Sequence, residues 1–417
     1  MKAGKLGVIA DDLTGSLDTG VQFGKWGLTS LVLLAGDPSP DVDCVVINTD
    51  SRAGSAEAAR AAVKRAARVL RGRFVYKKID STLRGHIGVE VLAAMQELHA
   101  EKALLAPAYP ANGRITEGGC VWIDGLPLHE TEFARDPRNA IGESHIPALL
   151  QRTVSERAAT IGIEVVNRGP EALGDAVSRY CEGLVVVDAV EPRHLAVIAR
   201  AVAAAGGRWL PVGSAGLAEE LPAALGLMRS EPSPPRRREE RAPVLVVAGS
   251  RNQVTVAQVR RVSAVLALPT FEPDLHRLLS EDGQEDEMDR IAEAAVRQLV
   301  GGRGVVLTTC FTLEQQGASV DIALAMGRIT GRVMREHPVG GLFLTGGDIA
   351  LQVCRELTAH ALRPITDVLP GVPVSVLLGG PWEGLRVVTK AGGFGQEDAI
   401  VQGVRYLMDG GTDGKRA

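Results

Sequence analysis

Short apolar runs rich in β-branched residues alternate along this chain with longer alanine- and leucine-rich stretches of helical period. That alternation is the mark of βαβ units built on a mainly parallel sheet. In the first half it predicts strands over residues 5–10, 30–34, 44–48, 73–80, 103–107, 184–188 and 209–213, with helices such as 56–70 and 88–99 between them. A second set follows, with strands at 244–248, 304–309, 341–345, 372–378 and 385–390. The expected fold class is α/β, as two α/β domains with mainly parallel sheets and an active site in the interdomain cleft.

Length agrees with two domains, because 417 residues exceed the roughly 250 to 300 that one hydrophobic core organises. The proline-rich, charged segment 230–243 is the expected linker between an N-terminal domain, 1–229, and a C-terminal one, 244–417. Its Arg236, Arg237 and Arg238 run into Glu239 and Glu240, which largely cancel them, and the net charge of -4 offers no general attraction to polyanions. Nucleic acid is therefore not an expected partner. With 45% hydrophobic and 23% charged residues the composition is that of an ordinary globular protein. The first apolar run meets Asp11 and Asp12 at once, so neither a signal peptide nor a membrane span is expected. Five cysteines scattered without a C-x-x-C pair suit reduced thiols in the cytoplasm, and the tail after Asp409 reads as disordered.

In open α/β sheets, ligands bind beyond the carboxyl ends of the strands, where helix amides favour anions. Three glycine turns of the second half lie at such ends: Gly249 with Ser250, Gly346 with Gly347 and Asp348, and Gly392, Gly393 and Gly395. Glycine lets backbone amides come close to phosphate oxygens and takes positive φ without strain. Each alone could be a plain tight turn, whereas three at equivalent strand ends point to one phosphate chain. None has the P-loop pattern, and GGFGQED lacks the dinucleotide fingerprint spacing.

The first half supplies polar strand ends. In IADDLTG, one aspartate could cap the following helix. Two adjacent acids there are read as a general base or a substrate-hydroxyl ligand, each carboxylate tending to raise the other's pKa. KKIDSTLRG places Lys78, Asp80, Ser81, Thr82 and Arg84 within seven positions, although Ser81 or Thr82 could instead cap the next helix. Arg52, in NTDSR, suits a two-point clamp on a carboxylate. The loop 106–114, with Asn112 and Arg114, is placed to close over the same region.

Together and in this order, IADDLTG, NTDSR, KKIDSTLRG, PAYPANGR, GSAGLA, AGS, LTGGDIA and VVTKAGGFGQED resemble the four-carbon acid sugar kinase family, over nearly the whole chain. The resemblance implies an N-terminal sugar-acid-binding half, a C-terminal nucleotide-binding half, and transfer of the γ-phosphoryl group of ATP to a terminal 4-hydroxyl. It places the acid on Asp11 or Asp12, Arg52 and the run Lys78, Ile79, Asp80 and Ser81, with Arg84 near. ATP would lie on Ser250, on Gly346, Gly347, Asp348 and Ile349, and on Gly392, Gly393, Phe394 and Gly395. Two departures from the family pattern are Ile349, where threonine is common, and His86, where asparagine is commoner.

Phosphoryl transfer asks a protein mainly to align two oxygens and neutralise charge. The expected roles are Asp12 as base with Asp11 second, Arg52 on the carboxylate, Lys78 on the phosphoryl group or the acid, and Asp348 orienting Mg2+. A homodimer is the default assembly. The rival readings are a dehydrogenase or isomerase of sugar-acid phosphates, which the missing fingerprint disfavours, and a non-catalytic sensor, which the paired acids disfavour.

Overall fold

A computed structural model of the chain describes residues 5–35, 42–135, 140–181, 183–227, 242–249, 252–302, 304–311 and 319–410. Ser250, nearly all of the expected linker and the tail beyond residue 410 lie outside these. The chain divides into two compact units, Met1–Val32 with Pro38–Pro232, and Leu33–Asp37 with Ser233–Ala417. Assignment of Leu33–Asp37 to the second unit was not legible in the sequence; its physical basis is that the amides of Leu34 and Ala35 both donate to the His360 carbonyl, at 2.9 and 3.0 Å.

The first unit contains β1 (Leu6–Ala10), β2 (Ser30–Leu33), β3 (Cys44–Asn48), β4 (Phe74–Lys78), β5 (Lys102–Ala106), β6 (Arg114–Glu117), β7 (Cys120–Ile123), β8 (Leu126–Pro127), β9 (Ala158–Ile161), β10 (Leu184–Val187) and β11 (Trp209–Gly213). Its main sheet runs in the order β2-β3-β1-β4-β11-β5-β10-β9. Registered pairs from β3 to β9 are all parallel. β1, β4, β10 and β11 are buried along their whole length, as strands covered by helices on both faces must be. The expected strand 73–80 ends two residues early at Lys78, which leaves Ile79 and Asp80 in the turn that follows. The short meander β6-β7-β8 and the strand β9 were not anticipated, since four-residue runs carry little periodicity.

The second unit holds β12 (Val244–Ala248), β13 (Thr270–Phe271), β14 (Gly304–Thr308), β15 (Gly341–Thr345), β16 (Ala361–Leu369), β17 (Val372–Leu378) and β18 (Arg386–Lys390), in the order β13-β14-β12-β15-β18-β17-β16. The first five pair in parallel and the last two antiparallel. The nine-residue β16 escaped sequence reading because Pro364 interrupts it. The proline sits beside a register shift between Pro364 and Thr366, where the ladder is interrupted. Both units are therefore α/β with mainly parallel sheets. Among the described residues no helix is long and apolar enough to cross a membrane.

Candidate active site

In the first sheet the chain leaves β1 towards β2 on one side and leaves β4 towards β5 on the other. Adjacent strands whose connections diverge leave a crevice at their carboxyl ends. Asp11 and Asp12 follow β1 there, with the turn after β3 on one flank and the turn after β4 on the other. The amides of Ser51 and Arg52 donate to the Asp11 carbonyl at 3.0 and 3.3 Å, which lays the Arg52 turn along the end of β1.

Arg52 then meets both acids. Its Nε donates to Asp11 Oδ2 at 2.8 Å, Nη1 to Asp12 Oδ2 at 2.9 Å, and Nη2 to Asp11 Oδ1 at 2.9 Å and Asp12 Oδ1 at 2.8 Å. Four of the five guanidinium hydrogens are thus spent on these two carboxylates, leaving one on Nη1. Asp12 also caps the helix Leu13–Gly24: its Oδ1 accepts from the Gly15 amide at 2.9 Å and its Oδ2 from Thr14 Oγ1 at 2.6 Å. The helix starts at Leu13, because Asp12 supplies this cap. Lys78 Nζ donates to the Ile79 carbonyl at 2.9 Å, and a Cβ on Gly15 would come within 3.0 Å of it. The absence of a side chain at Gly15 therefore lets an ammonium sit over a helix N-terminus, an environment suited to an anion.

The turn after β4 holds the rest of the predicted set. Asp80 Oδ2 accepts from Thr82 Oγ1 and from Arg84 Nε, each at 2.5 Å, and Ser81 Oγ accepts from Arg114 Nη1 at 2.9 Å. Neither Ser81 nor Thr82 caps the helix Ile87–Leu98, whose N-cap position is His86 without a side-chain cap bond. The His86 ring instead contacts the Gly54 carbonyl at 2.7 Å, tying the Arg52 loop to the helix start. Leu83 is buried at φ 59 and Asp50 adopts φ 50, so both turns carry left-handed backbone at non-glycine positions.

Sequence reading missed the support beneath these turns. Lys77, fully buried, pairs with Glu90 Oε2 at 2.8 Å, and Glu90 Oε1 accepts from Ser51 Oγ at 2.7 Å. One buried carboxylate on the helix Ile87–Leu98 thereby joins β4 to the Arg52 turn. A doubled lysine in KKID was the available signal, since successive residues of a strand face opposite sides and both cannot reach the same place.

The pair of acids does not raise the Asp11 pKa as expected. Burial pushes the Asp11 carboxyl up, but Arg52, Lys77 and Lys78 outweigh burial and hold it below the ordinary 3.8. Burial likewise pushes Asp80 up, and Arg84 and Arg52 hold it well below that value. Arg114, by contrast, is brought down to about 10 by burial and by Arg84. A carboxylate with a depressed folded pKa contributes stability that is complete above its unfolded pKa, about 3.9, and that is lost as pH falls through the folded value. Melting temperatures should accordingly drop as pH falls below about 4, and drop less steeply in Asp80→Asn. Parallel acid limbs in the two proteins would remove Asp80 from this account.

In the second sheet the chain leaves β12 towards β13 and β15 towards β16, on opposite sides, so a second switch point lies between β12 and β15. Ala248, Thr345 and Lys390 are lateral neighbours in register, which aligns the three glycine turns. A Cβ on Gly249 would lie 2.6 Å from Ile349 Cγ1, so a side chain there would have to displace Ile349. Ile349 is thus buried against Gly249, and only its backbone can serve a nucleotide. Gly346, at φ 102, is the N-cap of the helix Gly347–Glu356, where no side-chain cap bond forms. Asp348 is exposed in its first turn. Phe394 spends its amide inside its own turn, donating to the Ala391 carbonyl at 3.2 Å. Among the described residues no group of three or more His, Cys, Asp or Glu side chains is arranged to hold a metal ion.

Comparison with known proteins adds an independent line. Residues 6–221 match the family model described as a sugar-binding N-terminal domain, and residues 245–400 the one described as a nucleotide-binding C-terminal domain. A D-threonate kinase of Salmonella typhimurium is 37% identical, the match covering 97% of this chain and 99% of that protein. A 3-oxo-tetronate kinase of Methylobacterium radiotolerans is 30% identical, over 94% of this chain and 97% of the relative. A crystal structure of a Haemophilus influenzae protein of the DUF1537 family shares the fold, with a TM-score of 0.70 at 22% identity over 96% of this chain and 100% of that one.

Proposed function

This chain belongs to the four-carbon acid sugar kinase family, and we propose that it transfers the γ-phosphoryl group of ATP to the terminal 4-hydroxyl of a sugar acid of the threonate, erythronate or oxo-tetronate type. The observation that carries the reading is the cluster at the ends of β1, β3 and β4, where two carboxylates share Arg52 beside the Lys78 ammonium.

Within that cluster Asp12 already accepts four hydrogen bonds, two from Arg52, one from Gly15 and one from Thr14. Four accepted bonds take up the lone pairs of that carboxylate, which makes it a good anchor. Among the described residues, the Asp11 side-chain oxygens accept two bonds, both from Arg52. We therefore assign the base to Asp11 and assign Asp12 to holding Arg52 and the helix. Lys78 and the remaining Nη1 hydrogen of Arg52 meet the carboxylate of the substrate, and Ser81 and Arg84 line the same place. The depressed Asp11 pKa keeps the carboxylate ionised at neutral pH, which suits a loose transition state in which the hydroxyl proton leaves late.

The nucleotide lies on Gly346, Gly347 and the first turn of the helix Gly347–Glu356, and on Gly392, Gly393 and Gly395, whose turns align across the second sheet. Mg2+ usually takes one or two carboxylates, with phosphates and water completing its shell. A single exposed Asp348 beside the glycine turn fits that requirement, and the ion would supply charge neutralisation to the phosphate chain.

An assay of ADP release over a panel of tetronic acids, with nicotinamide absorbance followed in parallel, tests the reaction. Acid-dependent ADP release is expected; nicotinamide turnover without it would overturn the proposal. Gly393 takes no positive φ, so valine is tolerated by the backbone there. Gly393→Val should weaken ATP binding tenfold or more and leave affinity for the acid within about twofold. Unchanged ATP affinity in a folded variant would remove the phosphate role of that turn.

A further inference from the structure

Lys390 ends β18, and its side chain is 0% exposed. Its Nζ donates to the carbonyls of Ala391 at 2.8 Å, Gly392 at 3.0 Å and Phe394 at 3.2 Å, and lies 3.4 Å from Thr255 Oγ1. Two side chains of the helix Gln253–Leu266 complete the arrangement. Thr255 Oγ1 donates to the Gly392 carbonyl at 2.7 Å, and Gln258 Nε2 shares its two hydrogens among the carbonyls of Phe394, Gly395 and Gln396, at 3.1, 3.0 and 2.8 Å. The carbonyls of the turn thus converge on its underside.

In a planar trans peptide the N–H points opposite to the C=O of the same unit, and the described chain has no cis bond. Carbonyls of Ala391, Gly392 and Phe394 turned towards Nζ therefore direct the amides of Gly392, Gly393 and Gly395 away from it. Successive outward amides form a concavity for anions. We propose that Lys390 is a positioning residue of the nucleotide site, gathering the carbonyls of the turn from beneath so that the amides of Gly392, Gly393 and Gly395 cradle a nucleotide phosphate. The proposal rests on the kinase reading above and adds to it a lysine that touches no phosphate.

The charge of Lys390 also belongs to this arrangement. All its partners are neutral oxygens, and burial brings its ammonium down to about 7, an effect that the Cys310 thiol beyond β14 would oppose only when ionised. Burial pushes that thiol up to about 11, so at neutral pH it is uncharged and offers no counter-charge. On the neighbouring helix, Thr255 and Gln258 are neutral, as is Thr345, the partner of Lys390 in β15. A bound phosphate chain supplies the missing negative charge and draws a proton onto Lys390, so nucleotide binding near pH 7.5 takes up protons.

Calorimetry with ADP and Mg2+ at pH 7.5, repeated in two buffers of different ionisation enthalpy, tests this on the full chain. For the parent protein, proton uptake on binding is expected. Lys390→Met should weaken ADP binding tenfold or more and abolish the uptake, with affinity for the sugar acid unchanged. Thr255→Val, which removes the hydroxyl bond to Gly392 and the long contact with Lys390 Nζ, should weaken ADP binding a few-fold and keep the uptake. A folded Lys390→Met protein with parental ADP affinity, or with the proton uptake intact, would overturn the proposal; should that variant not fold, parental affinity in Thr255→Val would do so. Absence of ADP binding by the parent would instead remove the kinase reading itself.

Discussion

Asp11→Asn should lower kcat about 100-fold or more while the protein remains folded, because the amide is nearly isosteric but cannot take the hydroxyl proton. The structure gives the opposite forecast for its neighbour. Asp12 caps the helix Leu13–Gly24, and asparagine caps almost as well, so Asp12→Asn should keep its melting temperature within a few degrees. It loses part of the ionic hold on Arg52, and kcat should fall by only about tenfold. Steady-state kinetics of both variants beside thermal melts make the comparison. If Asp12→Asn is the slower enzyme by a wide margin, the base moves by one residue; if both keep parental kcat, neither carboxylate is the base.

Arg52→Lys should raise KM for the acid tenfold or more and also shift the acid limb of the pH–kcat profile upward. Lysine keeps the charge but delivers its donors from one point, so it cannot span four carboxylate oxygens as the guanidinium does. Loss of one charge-assisted bond costs about 1.5 to 3 kcal/mol, enough for the stated change in KM. The shift of the acid limb has a separate cause. Burial raises the Asp11 pKa and Arg52 is the largest influence lowering it, so a looser cation leaves Asp11 to titrate at higher pH. A variant with unmoved acid limb and unchanged KM for the acid, but raised KM for ATP, would place Arg52 on the nucleotide instead.

Much of the fold was legible because it is local. A run such as VLVVA or LVVV, ended by glycine or aspartate, carries its strand identity in its own side chains, and β3, β11, β12, β15 and β17 begin and end where the pattern puts them. β16 was hidden by Pro364, whose cost to a strand depends on which partner groups surround it, and a register shift opposite β17 lies beside it. In the candidate site the residue types were legible too, since aspartates, Arg52 and Lys78 at strand ends are expensive to bury without a purpose.

What the chain determined by itself was therefore the α/β class, the strands and the set of polar residues at their carboxyl ends, because periodicity and turn chemistry act between near neighbours. Tertiary structure alone decided the pairings. Strand order β3-β1-β4 brings Arg52 to acids about forty positions away, and makes them its partners for four of its five hydrogens. Lys390, which reads as one more residue of a buried strand in VVTK, meets the underside of a glycine turn because helix packing left it no water and only neutral oxygens to bond. Such choices depend on which surfaces meet in three dimensions, and desolvation then makes each buried charge take the partners within reach.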